Sequence, residues 1–238
     1  EMIVVRNIED LPLKDRAHIV KANALHLPWE DVLAPKECNY IIGNPPFTGK
    51  MTPELKADRA LWFGKEAGRV DLVACWFLAA AKYMKDTKIE AALVATNSIC
   101  QGTQVDPIWM CLFHMGIHIN FAHRSFMWKT EGRKGASVVV VIISFSYIER
   151  DRKLLWDYTG KTVELVEADH INQYLIDHGD MSVVSRGTPL DRVPALVNGT
   201  KPAGKPLIFT IAERQEIVRK YPQSKQYFRK YIGAAELT

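Results

Sequence analysis

The stretch Tyr40-Ile41-Ile42-Gly43-Asn44-Pro45-Pro46-Phe47 decides how the rest of the chain is read. A short apolar run closed by glycine predicts a buried strand that stops abruptly. Two consecutive prolines then hold the exit extended, and neither ring nitrogen carries a hydrogen. The strand tip is therefore rich in acceptors: the Asn44 side-chain oxygen and the carbonyls of the Asn-Pro-Pro turn, with the flat ring of Phe47 beside them. Such a tip suits a planar group bearing an exocyclic NH2, its amine held by acceptors and its plane stacked on the aromatic ring. Acceptors also stabilise a nitrogen that becomes positive while it attacks an electrophile. The chemistry implied is alkylation of an amine.

Outward from this point, predicted strands and helices alternate. Strands are expected over 18–25 and 39–43, a polar helix over 53–65, and a strong helix over 70–84 with Asp71 as its cap. A buried strand over 89–95 and a helix over 107–115 follow, then strands over 117–123 and 137–145 separated by the polar segment 129–135. Residues 153–158 and 163–166 read as a smaller hairpin. This order predicts an α/β fold, a mostly parallel sheet with helices on both faces that ends in antiparallel strands. Ligands of open α/β sheets bind beyond the carboxyl ends of the strands. Asn23, Asn44 and Asn97 each follow a predicted strand and are expected to share that edge.

After Asp169 the pattern changes. Gly179, Gly187, Pro189, Pro194, Gly199, Pro202, Gly204 and Pro206 interrupt a stretch with little periodicity, so one domain is expected over 1–169 and a linker with the start of another over 170–238. Helices are predicted at 210–220, with a capping-box spacing between Thr210 and Glu213, and at 224–231.

Asn44-Pro-Pro-Phe47 after a strand resembles the catalytic motif of S-adenosylmethionine (AdoMet)-dependent amino-methyltransferases. DNA adenine, RNA guanine and protein glutamine enzymes share that motif. Further stretches resemble one branch, the MmeI-like single-chain type IIL restriction-modification enzymes. They are Lys21-Ala-Asn-Ala-Leu-His-Leu-Pro-Trp29, Ile42-Gly-Asn-Pro-Pro-Phe-Thr-Gly-Lys50, Asp71-Leu-Val-Ala-Cys-Trp-Phe77, Ala95-Thr-Asn-Ser-Ile-Cys-Gln-Gly-Thr-Gln104, Phe121-Ala-His-Arg-Ser-Phe-Met-Trp128 and Ile171-Asn-Gln-Tyr-Leu175. The resemblance implies a partial Rossmann-like AdoMet-methyltransferase sheet, its later strands, followed by the beginning of a target-recognition domain. It implies AdoMet as cofactor, double-stranded DNA as partner, and N6 methylation of an adenine flipped out of the duplex. A nuclease domain in the same full-length chain is compatible with it.

On this resemblance Asn44, Pro45, Pro46 and Phe47 form the catalytic set, and Asn44 also borders the cofactor. Asn23 matches the position that meets the cofactor adenine, although a strand-end Asn also caps turns. Phe126 and Trp128 match the segment that gives the base a second aromatic face, or they pack on the sheet as edge aromatics. Lys50, Lys129, Arg133 and Lys134 are candidates for phosphate contact, and each also suits a solvated surface. Trp76 and Trp109 are expected in the core. Enzymes of this fold carry a Gly-rich turn after the first strand, yet no GxG occurs here, and residues 1–43 are too few for two more βα units. The chain therefore reads as lacking the first strands and the Gly-rich cofactor loop, and the polypeptide alone is expected to be inactive.

Composition sets the remaining bounds. Of the 238 residues, 47% are hydrophobic and 24% charged, ordinary for a globular protein with a sizeable core. The longest apolar run, 136–147, is too short for a membrane span, and no secretory leader is visible. Cys38, Cys75, Cys100 and Cys111 form no CxxC pair, and the histidines have no metal-ligand spacing. Reduced thiols, no metal and a cytoplasmic location are the expectation. Residues 1–184 hold 21 basic and 23 acidic groups, whereas 185–238 hold 10 and 4. A C-terminal module that follows phosphates accounts for this excess, as do solvated helix faces. The remaining reading, from another class, is a DNA-binding piece without catalysis.

Overall fold

The computed structural model describes residues 17–48, 51–128, 138–160, 162–183, 188, 191–193 and 208–230. Its centre is a six-stranded sheet built from β1 (Tyr40–Gly43), β2 (Glu90–Thr96), β3 (His118–Trp128), β4 (Val138–Ser146), β5 (Lys153–Asp157) and β6 (Glu164–Ala168). The spatial order is β1-β2-β4-β3-β5-β6. β1 lies parallel to β2 and β3 parallel to β5, while β4 is antiparallel to both β2 and β3, and β6 to β5. The carboxyl ends of β1, β2, β3 and β5 therefore meet at one edge, which β4 and β6 enter by their amino ends.

Burial alternates along β2, with Ala91, Leu93 and Ala95 inside. That face packs against α2 (Ala74–Tyr83) and α3 (Val105–His114). Phe77 of α2 stacks on Phe145 of β4, centroids 5.1 Å apart, and meets Trp109 of α3 edge-on at 6.0 Å. The other face, with Ala92, Val94 and Ile142, is only half-buried among the described residues. The expected covering of both faces by helices is thus seen on one. Trp109 is fully buried, as expected, whereas Trp76 is only partly so.

The helix α1 (Pro53–Phe63) begins where Thr52 accepts a hydrogen bond from the Leu55 N–H and ends at Gly64, whose φ of 51° a residue with a side chain adopts at a cost. Asp71 does not cap α2, because that helix starts at Ala74. Its carboxylate instead accepts hydrogen bonds from Ser98 Oγ at 2.8 Å and Gln104 Nε2 at 2.9 Å. Asp71 thereby ties the entry to α2 to the turns that follow β2.

Two expectations are corrected. Residues 18–25 form no strand. Ile19 is exposed, the chain turns at Asn23, and an apolar run without a partner strand gains no ladder hydrogen bonds. The helix expected over 224–231 is a 3-10 stretch, Pro222–Tyr227. The compact unit containing the sheet extends to Ser185. Ile171 and Leu175 belong to its core, and Asn172 Oδ1 accepts from the Tyr174 N–H at 2.9 Å. Buried Asn172 and Gln173 satisfy the polar backbone of this loop, which is how a non-periodic segment becomes core.

The second unit, Arg186–Thr238, contains α4 (Ile211–Lys220). The capping box is present: Thr210 Oγ1 accepts from the Glu213 N–H, and the Glu213 carboxylate accepts from the Thr210 N–H at 2.7 Å. Among the described residues no helix is long and apolar enough to cross a membrane.

Candidate active site

β1 delivers Asn44 to the carboxyl edge of the sheet. Its register pairs Gly43 with Leu93, and a β-carbon on Gly43 would stand 3.1 Å from Leu93 Cδ2, so glycine permits this close approach. Pro45 is buried and anchors the turn, while Asn44, Pro46 and Phe47 are exposed. Among the described residues the Asn44 side chain makes no hydrogen bond with the protein, and Phe47 stacks on no other ring. Among the described residues, the Asn44 acceptor and the Phe47 face are thus left without a partner.

Beside this turn lies a pocket of about 640 Å³. Its walls come from Asn23, Ala24 and Trp29, from Ile41 to Pro46, and from Leu55, Asp58, Leu72, Trp76 and Leu93. Asn23 and Asn44 therefore share one cavity. Asn97 is not part of its lining; its Nδ2 donates to Gln101 Oε1 at 3.2 Å. Trp29 is held by a hydrogen bond from its indole N–H to the Ala24 carbonyl, 2.8 Å, and by a tilted contact with Tyr83. Burial pushes the Tyr83 phenol up to about 12, so it stays protonated and donates to the Leu33 carbonyl at 2.6 Å.

Asn23 both lines the pocket and shapes a turn. Its Oδ1 accepts from the Leu25 N–H at 3.0 Å, and its Nδ2 donates to Asp58 Oδ2 at 3.2 Å. Asp58 Oδ1 lies 2.6 Å from His26 Nε2. Among the described residues Asp58 is the one ionisable side chain in the lining, and sequence reading missed it. The signal was present: Leu55, Asp58 and Trp62 share a helical face, and a carboxylate on an apolar stripe demands a partner.

Phe126 sits elsewhere on the same edge, half-buried on β3. Its ring packs on Tyr158 at 4.9 Å and lies 6.2 Å from Trp128. His123 stacks flat on Trp156 at 4.5 Å, and its Nδ1 is 2.7 Å from the Tyr158 hydroxyl. Burial lowers the His123 pKa. Packing on the sheet is thus observed for Phe126, with part of its ring exposed. Nearby, Asp157 accepts from the Thr159 N–H and hydroxyl and pairs with Arg124, and these bonds hold its carboxyl below the usual range.

Lys50, Lys129, Arg133 and Lys134 lie outside the described residues. Desolvation raises Cys75 and Cys100 to about 12, which leaves these buried thiols unreactive. No group of three metal-ligating side chains occurs among the described residues.

The sheet and the cavity at its carboxyl edge define a ligand-binding α/β domain. Residues 3–157 match the family described as MmeI, DNA-methyltransferase domain, and the chain belongs to that family. It is 38% identical over 235 residues to DNA methyltransferase A of Bacillus subtilis (strain 168), covering 95% of this chain and 26% of the relative. The structure of the Type IIL restriction-modification enzyme MmeI in complex with DNA is also similar, with a TM-score of 0.88 and 41% identity over 95% of this chain and 31% of that one. The fold is therefore that of the MmeI methyltransferase region. The chain spans between a quarter and a third of the length of these relatives.

Proposed function

We propose that this chain carries the catalytic turn of a site-specific DNA adenine-N6 methyltransferase, part of a type IIL restriction-modification enzyme that uses AdoMet. The observation that carries the reading is the Asn44–Phe47 turn at the carboxyl end of β1, with its side-chain acceptor and ring unpartnered among the described residues and a pocket alongside. A volume of about 640 Å³ with apolar walls and a few convergent polar groups fits a nucleoside-sized ligand. When bound, AdoMet would supply an electrophilic methyl group, and Asn23, Trp29, Asn44 and Trp76 of the pocket lining would hold it.

The target adenine leaves the duplex because its N6 is otherwise paired and out of reach. Phe47 stacks on the extruded base, and Phe126 covers its other face. The Asn44 side-chain oxygen and the Pro45 carbonyl accept the two N6 hydrogens. They favour a nitrogen geometry with an available lone pair and stabilise the positive charge that develops. Positioning and electrostatics carry the rate, and no covalent enzyme intermediate is required. Lys50, Lys129, Arg133 and Lys134 are proposed to contact phosphates. Residues 170–238 are proposed to lead into target recognition, with Arg219 and Lys220 exposed on α4. A nuclease domain in the same full-length chain and a cytoplasmic location complete the reading.

The test is methyl transfer from labelled AdoMet by the whole protein to DNA, RNA and protein substrates. N6-methyladenine in duplex DNA is the expected product. Labelling of RNA or protein alone would replace this reading.

A further inference from the structure

Two walls of the pocket reach β1 from opposite directions along the chain. The turn 23–26 precedes the strand and α1 follows it, and no strand pairing joins them among the described residues. Asp58 joins them. Its relative exposure is 7%, and it is the one buried residue of α1. Each carboxylate oxygen serves a different residue of the turn, Asn23 Nδ2 at 3.2 Å and His26 Nε2 at 2.6 Å.

The consequence falls on the Asn23 amide. A free asparagine turns over readily, exchanging its donor and acceptor ends. Here the Leu25 N–H needs an acceptor and Asp58 needs a donor, so only one orientation satisfies both. Each amide atom keeps one unused capacity, a hydrogen on Nδ2 and a lone pair on Oδ1. A planar ring that offers an acceptor beside an exocyclic NH2 matches that edge. A ring that offers N–H beside a carbonyl matches only the reversed amide.

We infer that Asp58 is a positioning residue that locks the Asn23 amide and so makes the pocket selective for an adenine ring over its deaminated counterpart. This rests on the AdoMet reading of the pocket and names the group that sets its ring selectivity. The lock acts on binding, because orienting the ring takes no part in the transfer itself. An inverted amide would set its NH2 against the Leu25 N–H and its oxygen against the Asp58 carboxylate, a mismatch on both sides.

The experiment is calorimetric binding of AdoMet, adenosine and inosine to the whole protein. The unaltered protein is expected to prefer adenosine to inosine by about tenfold or more. Asp58→Asn, nearly isosteric, removes the demand for a donor. It is expected to narrow that preference to about twofold and to weaken AdoMet binding by about tenfold. In an Asn23→Ala background the same Asp58→Asn change should cost less than about twofold, because the lock has nothing left to hold. Equal losses in both backgrounds would show that Asp58 only supports the fold. Should Asp58→Asn fail to fold, the adenosine-to-inosine ratio of the unaltered protein decides, and equal binding overturns the inference. AdoMet binding with no such preference sinks the lock and leaves the methyltransferase reading standing, whereas no AdoMet binding at all sinks both.

Discussion

Phe47 and Phe126 project from the same edge of one sheet, yet their surroundings differ in kind. Phe47, 37% exposed, follows β1 on an extended Pro-Pro path and touches no other ring among the described residues. Phe126 lies within β3 and joins a cluster with His123, Trp128 and Tyr158. A ring left unstacked costs the fold little and remains available to a ligand. A ring already packed belongs first to the fold and serves a ligand only through its remaining face. Stacking surfaces are therefore recognised by what their neighbours fail to satisfy, and motif matching alone treats the two phenylalanines alike.

The sharpest probe is the acceptor beside Phe47. In the whole protein Asn44→Ala is expected to lower methyl transfer on the order of a hundredfold or more, with little change in duplex affinity, since phosphate contacts dominate binding. Near-normal methylation would remove Asn44 from the mechanism. Phe47→Ala should weaken base stabilisation by roughly 1–3 kcal/mol, read as reduced 2-aminopurine fluorescence at the target position, while Phe47→Trp keeps most of it. Unfolding midpoints should not move at position 47. Phe126→Ala should instead lower unfolding stability by about 2 kcal/mol, measured in urea. Equal stability losses at 47 and 126 would erase the contrast.

The cluster around Phe126 also carries a pH signature. Burial lowers the His123 pKa below the ordinary histidine value of about 6.5, so the unfolded chain binds the proton more readily. Stability from this residue is full above that value and declines as pH falls through it toward the lowered native value. Urea midpoints at pH 7.5 and 5.5 should show the decline, and His123→Gln should flatten it. A smaller effect is expected at the foot of the turn. Gly43→Ala forces Leu93 aside and should destabilise by about 1 kcal/mol.

Local signals made much of this legible. The apolar runs along 89–95 and 137–145 and the helical spacing of 70–84 located β2, β4 and α2, and Pro-Pro after Gly43 placed the turn. Failures came where a partner decides. Residues 18–25 are apolar enough for a strand, yet strands form only with neighbours, and the Asn23 side chain ties that chain into a turn. Asp71 looked like a cap until Ser98 and Gln104 supplied its partners from a distant segment.

The sequence alone determined the α/β class, the Asn-Pro-Pro-Phe turn and its acceptor chemistry, because these depend on periodicity and on proline's missing donor. Tertiary structure decided that Asn23, Asp58 and Trp76 converge on one pocket, that Phe47 meets no other ring among the described residues while Phe126 is packed, and that β1 sits at the border of the described sheet. Those outcomes depend on groups far apart in the chain meeting in space, and no local pattern encodes which distant donor will satisfy a given acceptor.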